Sequence, residues 1–163
     1  MLKKLIFTLF FFATICMAAQ NEYQSHNGEI MKENTLEIII NKPVAEVFEF
    51  TTNPINTPSW IDCILQEKTN EWPPRIGTIY KNHGNSDDWS VYSVTKYEKY
   101  KEFELVKADS STYHVNYSYI PISTNSTKLI YHEWVIHGKL ESPFTHQTLN
   151  QLKKIMEKTD YSS

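Results

Sequence analysis

The hydrophobic pattern changes period several times along the chain, and each change marks an element. Residues 5–15 form an uncharged, mostly apolar block behind Lys3 and Lys4. At eleven residues it is shorter than the roughly 20 that span a bilayer as a helix. With the small Ala18-Ala19 pair behind it, the block reads as a secretory signal peptide over residues 1–19, the alternative being an uncleaved anchor. Residues 20–34 are polar and read as a flexible arm. The β-branched run 36–40 (LEIII) predicts a strand. Asn41 stands where it can cap a following helix, with Pro43 in its first turn. Val44, Val47, Phe48 and Thr51 then recur at helical spacing on one face. Asn53-Pro54 and Pro58 break that helix and leave room for a turn or two before Trp60.

From there the period falls to two. Strands are expected at 61–68, 76–83, 89–97, 102–108, 112–120 and 128–137, separated by short stretches such as Gly84-Asn85-Ser86-Asp87 and Ser123-Thr124-Asn125-Ser126. Connections this short favour hairpins and an antiparallel meander. The last element returns to helical spacing. Ser142-Pro143 offers an N-cap and a first-turn proline, and Phe144, Thr148, Leu149, Leu152, Ile155 and Met156 share one face. A helix over 143–159 is about 25 Å long at 1.5 Å per residue. The predicted architecture is α+β, with residues 35–160 as one domain. A seven-stranded antiparallel curved sheet wraps the long C-terminal helix, and two short helices after the first strand close one end.

The stretch KPVAEVFEFTTNPINTPSW carries a resemblance. Pro43, Val44, Glu46, Val47, Phe48, Asn53, Pro54 and Trp60 match the opening of the START-like, helix-grip (SRPBCC) superfamily, which includes bacterial polyketide cyclase/dehydrase-like proteins. Further echoes are Ile76-Gly77-Thr78-Ile79-Tyr80, Ser93-Val94-Thr95-Lys96-Tyr97 and Ser126-Thr127-Lys128-Leu129. The resemblance implies a helix-grip fold with a cavity between sheet and C-terminal helix. Its motifs are structural, so fold follows from it more directly than activity. The N-terminal leader departs from the many cytoplasmic relatives.

Composition narrows the partners. The chain has 16 basic and 19 acidic residues, and removing Lys3 and Lys4 with the leader takes the net charge from −3 to −5. That sign, with Arg75 the only arginine, argues against nucleic acid. After the leader, Cys63 is the only cysteine, so no internal disulfide is possible; it reads as a small buried hydrophobe. The six histidines show no metal-ligand spacing, and neither a metal nor a cofactor is expected. No GxSxG motif or glycine-rich phosphate loop is present.

What remains is an aromatic-rich interior. Tyr113, Val115, Tyr117 and Tyr119 share one strand parity, as do Trp89, Val91, Ser93 and Thr95. In 127–135, Thr127, Leu129, Tyr131, Glu133 and Val135 take one face, while Ile130, His132, Trp134 and Ile136 take the other. If the first face is concave, Glu133 enters the cavity as a candidate acid or base; if the second is, it is a solvated charge. The expected ligand-binding set is Tyr117, Tyr119, Tyr131, Glu133, Trp89 and Leu152, and Glu133 is the candidate catalytic residue. The expected function is an exported, periplasmic or secreted binder of a lipid or other hydrophobic small molecule, with no stable membrane insertion after leader cleavage. One alternative is a cyclase/dehydratase-like enzyme using Glu133, Tyr117 and Tyr131. The other is a protein-interaction module using the sheet's outer face, including Trp134, or the arm.

Overall fold

The β-branched run at 36–40 forms the inner half of β1 (Glu33–Ile40), which the computed structural model places at one edge of a seven-stranded antiparallel sheet. The structure describes residues 32–108 and 113–158; the expected leader 1–19 and most of the expected arm lie outside the described residues. The other elements are α1 (Val44–Thr52), α2 (Thr57–Trp60), β2 (Gln66–Thr69), β3 (Ile79–His83), β4 (Ser90–Glu98), β5 (Glu102–Lys107), β6 (Tyr113–Ser123), β7 (Ser126–Val135) and α3 (His146–Glu157). The strand order is β1-β7-β6-β5-β4-β3-β2. Successive hairpins build β2 to β7, and β1 closes antiparallel onto β7, giving the curved sheet of a helix-grip α+β fold.

Local chemistry moves several boundaries. β1 starts inside the expected arm: Lys32 accepts a backbone hydrogen bond from Val135 (2.8 Å), and Asn34 sits opposite Glu133. Asn41 does not cap α1. The helix starts only at Val44, so Pro43 occupies the cap position, while the Asn41 N–H donates to a carboxylate oxygen of Glu157 (2.7 Å). The expected strand 61–68 shrinks to β2. Residues 61–65 turn, with Ile64 N–H donating to the Ile61 carbonyl (3.0 Å), so that Ile61 and Ile64 both reach the core. A strand of period two would send residues three apart to opposite faces. β3 begins late because Gly77 takes φ +91° in the turn that precedes it.

The final helix is the largest correction. It starts at His146 after a Thr145 cap position with no side-chain cap bond, so Ser142 is not its N-cap. Ser142 adopts φ +53°, and the chain then continues without helix through the half-buried Pro143 and Phe144 to Thr145. Twelve residues give α3 about 18 Å rather than 25 Å. Its Leu149, Leu152 and Met156 are buried, packed toward β1 and α2. Burying a side chain of that size contributes about 1.5–3 kcal/mol.

Register settles which face of β7 is concave. Thr127, Leu129, Tyr131 and Glu133 are buried, and the residues between them are half-exposed. One row across the inner face therefore reads Leu36–Tyr131–Tyr117–Phe103, and the next reads Asn34–Glu133–Val115–Leu105.

Candidate functional site

The inner face of β3–β7 does not meet the helices everywhere, and a pocket of about 530 Å³ lies between them. Its floor is aromatic: Tyr80, Phe103, Tyr117 and Tyr131 from the sheet, faced by Trp60 of α2. The segment between β7 and α3 supplies another wall. Phe144 stacks on Tyr131 (4.5 Å between centroids, 7° between planes) and meets Trp60 edge-on at 6.1 Å. The rim is polar and exposed, with Ser86, Asp88, Lys139 and Glu141. Because α3 begins only at His146, none of its residues borders the pocket. The cavity expected between sheet and C-terminal helix is instead bounded by α1, α2 and the pre-helix segment.

One glycine holds the mouth together. A Cβ on Gly84 would come within 2.4 Å of the Cys63 carbonyl oxygen, so only glycine lets the end of β3 approach the turn after α2. The Leu65 N–H to His83 carbonyl bond (2.9 Å) fixes the same junction. Cys63 is exposed at the pocket edge, not a buried hydrophobe. Desolvation there pushes its thiol up, away from the thiolate.

The expected site residues divide. Tyr117 and Tyr131 border the pocket, and burial pushes both phenols well up, so they serve as neutral groups. Tyr119 is buried under α1, where its hydroxyl bonds Thr51 Oγ1 (2.7 Å) and its ring meets Phe48; it does not border the pocket. Leu152 is core on α3. Trp89 lies on the outer side of the sheet, against His83 (4.4 Å) and under the Lys68 ammonium (4.0 Å). The inward parity of β4 belongs to Ser90 and Tyr92, opposite that of Trp89. Trp134 is half-buried on the outer face, stacked between His114 (4.7 Å) and His132 (4.6 Å).

Glu133 is 1% exposed, yet it does not border the pocket. Oε1 accepts from Asn34 Nδ2 (2.9 Å) and from Phe144 N–H (2.8 Å), and Oε2 accepts from the Tyr113 hydroxyl (2.6 Å). Asn34 Nδ2 also donates to the Phe144 carbonyl (2.9 Å). These bonds tie β1, β6 and β7 to the segment that carries Phe144. Glu133 thus holds a wall of the pocket in place, with its lone pairs committed to fixed donors. Burial and the neighbouring Glu133 carboxylate push the Tyr113 phenol up, which keeps it a donor.

Sequence reasoning missed Glu67. It sits in the polar strand QEKT, where alternation carries no signal because both faces are hydrophilic. Pairing with β3 places it opposite Asn82 and on the pocket wall. Its carboxylate accepts from Thr57 Oγ1 (2.5 Å) and Asn82 Nδ2 (3.0 Å). Burial nevertheless dominates and pushes Glu67 above the usual carboxylate range. Among the described residues, no three His, Cys, Asp or Glu side chains converge as a metal site. Among them also, no helix is long and apolar enough to cross a membrane.

No family model matches the chain, and no curated protein matches it by sequence. Solved structures do. XoxI from Bacillus cereus aligns with a TM-score of 0.62 at 10% identity, over 81% of this chain and 100% of that one. A START superfamily protein from Mycobacterium smegmatis aligns with a TM-score of 0.60 at 12% identity, over 78% and 98%. The di-domain ARO/CYC protein BexL from the BE-7585A biosynthetic pathway aligns with a TM-score of 0.53 at 12% identity, over 64% of this chain and 36% of that one. Identities this low speak to fold alone, and on that level the chain has the START-like, helix-grip fold.

Proposed function

We infer that this domain is an exported binding protein that holds a hydrophobic small molecule, such as a lipid, in the pocket beneath Trp60 and Phe144. The pocket carries the reading: about 530 Å³, floored by four aromatic rings and rimmed by polar side chains. That size falls within the roughly 300–1,000 Å³ typical of small-molecule sites. The charge-free apolar block behind Lys3 and Lys4 supports export. Native mass spectrometry on protein from its own source tests binding, alongside uptake of an apolar fluorophore by delipidated protein. A bound small molecule is expected, with uptake reduced by the pocket-filling variant Val115→Phe. A delipidated protein that takes up no apolar fluorophore overturns the reading.

A second reading, acid–base catalysis on the bound molecule, rests on Glu67. It is a pocket-wall carboxyl whose raised pKa suits proton transfer nearer neutrality. Glu133 is less suited, because Asn34, Phe144 and Tyr113 occupy its oxygens. Glu67→Gln separates the two readings: an enzyme loses turnover while retaining the ligand, and a binder changes in neither.

A further inference from the structure

Glu67 sets a carboxyl group into a largely aromatic pocket wall. It stands on β2 opposite Asn82 of β3, and Thr57 reaches it from the start of α2. All three residues border the pocket, and Glu67 is half-buried, so the cluster is open to whatever the pocket holds. Oε2 accepts from the Thr57 hydroxyl (2.5 Å) and Oε1 from Asn82 Nδ2 (3.0 Å). An ionised carboxyl group offers about four acceptor positions, so about two remain. Neither donor carries a charge, and together they do not offset burial, which pushes the acid up. Burial first, and then the Glu67 charge, push up the Tyr80 phenol, so that charge acts on the aromatic floor. Glu133 differs on both counts, since three donors hold it and it stands behind the wall.

The chemistry of this carboxyl group restricts what can sit against it. A hydrocarbon would seal it from water and return no hydrogen bond. A ketone or ester oxygen has no proton to give and meets the ionised form lone pair against lone pair. An ammonium suits the ionised form alone, and it surrenders strong hydration at a place where burial already works against charge. A hydroxyl has one proton and two lone pairs. It donates to the ionised carboxylate, accepts from the protonated acid, and brings no charge into the pocket.

We propose that the ligand is an uncharged amphiphile with an alcohol hydroxyl, bound by Glu67, and a hydrocarbon body lying on Tyr80, Phe103 and Tyr117. This rests on the pocket-binding reading above. The test uses the delipidated full chain and displacement of an apolar fluorophore by three probes of equal chain length: decane, n-decanol and n-decylammonium. Wild type is expected to bind n-decanol about tenfold more tightly than decane, the value of one good net hydrogen bond, and more tightly than n-decylammonium. Glu67→Met keeps the length of the side chain without its oxygens and should bring the decanol and decane affinities together. Glu67→Gln offers an amide oxygen and an N–H at the same place and should restore the preference. The wild-type comparison stands whether or not the methionine variant folds. Equal binding of decanol and decane by wild type overturns the proposal while leaving pocket binding intact. Tighter binding of decylammonium than of decanol overturns it in favour of a cation site. A folded Glu67→Met protein that keeps the decanol preference removes Glu67 as the contact and overturns it too. Displacement by none of the three overturns both readings.

Discussion

Removing the Glu133 carboxylate is expected to unfasten a wall of the pocket. In Glu133→Ala, Asn34 Nδ2 and Phe144 N–H lose the acceptor they share, and the Tyr113 hydroxyl loses its own. Asn34 keeps its bond to the Phe144 carbonyl, so its loss is partial. The Phe144 N–H and the Tyr113 hydroxyl are left with no substitute. A buried donor without an acceptor costs about 1–3 kcal/mol. Two such groups plus the space vacated by a side chain at 1% exposure give roughly 3–5 kcal/mol. For a domain of this length, each kcal/mol moves the melting temperature by about 2–4 °C, so a fall of about 6–20 °C is expected by circular dichroism. Glu133→Gln keeps an oxygen for Asn34 and Phe144, and its amide can donate to the Tyr113 oxygen, so it should lose only about 1–2 kcal/mol. Hydrogen exchange locates the effect: the Phe144 amide should exchange much faster in the alanine variant, with the β4–β5 amides little changed. An alanine variant that melts within about 2 °C of wild type would refute the latch, as would an unchanged Phe144 exchange rate.

Three further outcomes follow from the same geometry. Burial raises Glu67, so the native state holds more protons than the unfolded chain between the ordinary carboxylate value and the raised one; stability should therefore fall as pH rises through that window, and urea titrations should show a flatter profile for Glu67→Gln. Tyr119→Phe removes the bond to Thr51 and should cost about 1 kcal/mol in chemical denaturation; a rise in stability would contradict the assigned partner. Gly84→Ala sets a methyl against the Cys63 carbonyl at 2.4 Å, and should lower the denaturation midpoint by about 1–3 kcal/mol equivalent; an unchanged midpoint would mean that the turn after α2 yields freely.

The elements that were legible in the sequence are those whose pattern answers to one dominant force. β1 and α1 follow from apolar spacing alone, because burial requires one face; both faces of β7 are apolar enough to pack, and only register against β1 and β6 turns Tyr131 and Glu133 inward. Chain positions with competing demands were misread. Ser142-Pro143 carries good local helix-start chemistry, yet Glu133 accepts the Phe144 N–H and holds the segment against the sheet, and the helix begins only at His146. Asn41 suits a cap by residue type, but α1 starts two residues too late for it, with Pro43 in the cap position, and the Asn41 N–H binds Glu157, more than a hundred residues away in the chain. Trp89 and Tyr92 both suit an inward position, and only pairing with β3 turns Tyr92 inward.

By itself, the sequence determined a seven-stranded antiparallel sheet with two short helices near its start and a helix at its end. Hydrophobic period, proline placement and hairpin-length loops are local signals, and they suffice for that. Only the tertiary structure decided the site. Whether a carboxylate lies in solvent, in a pocket wall or behind it depends on register and on partners distant in the chain. It placed Glu133 behind the wall with three donors and Glu67 in the wall with Thr57 and Asn82.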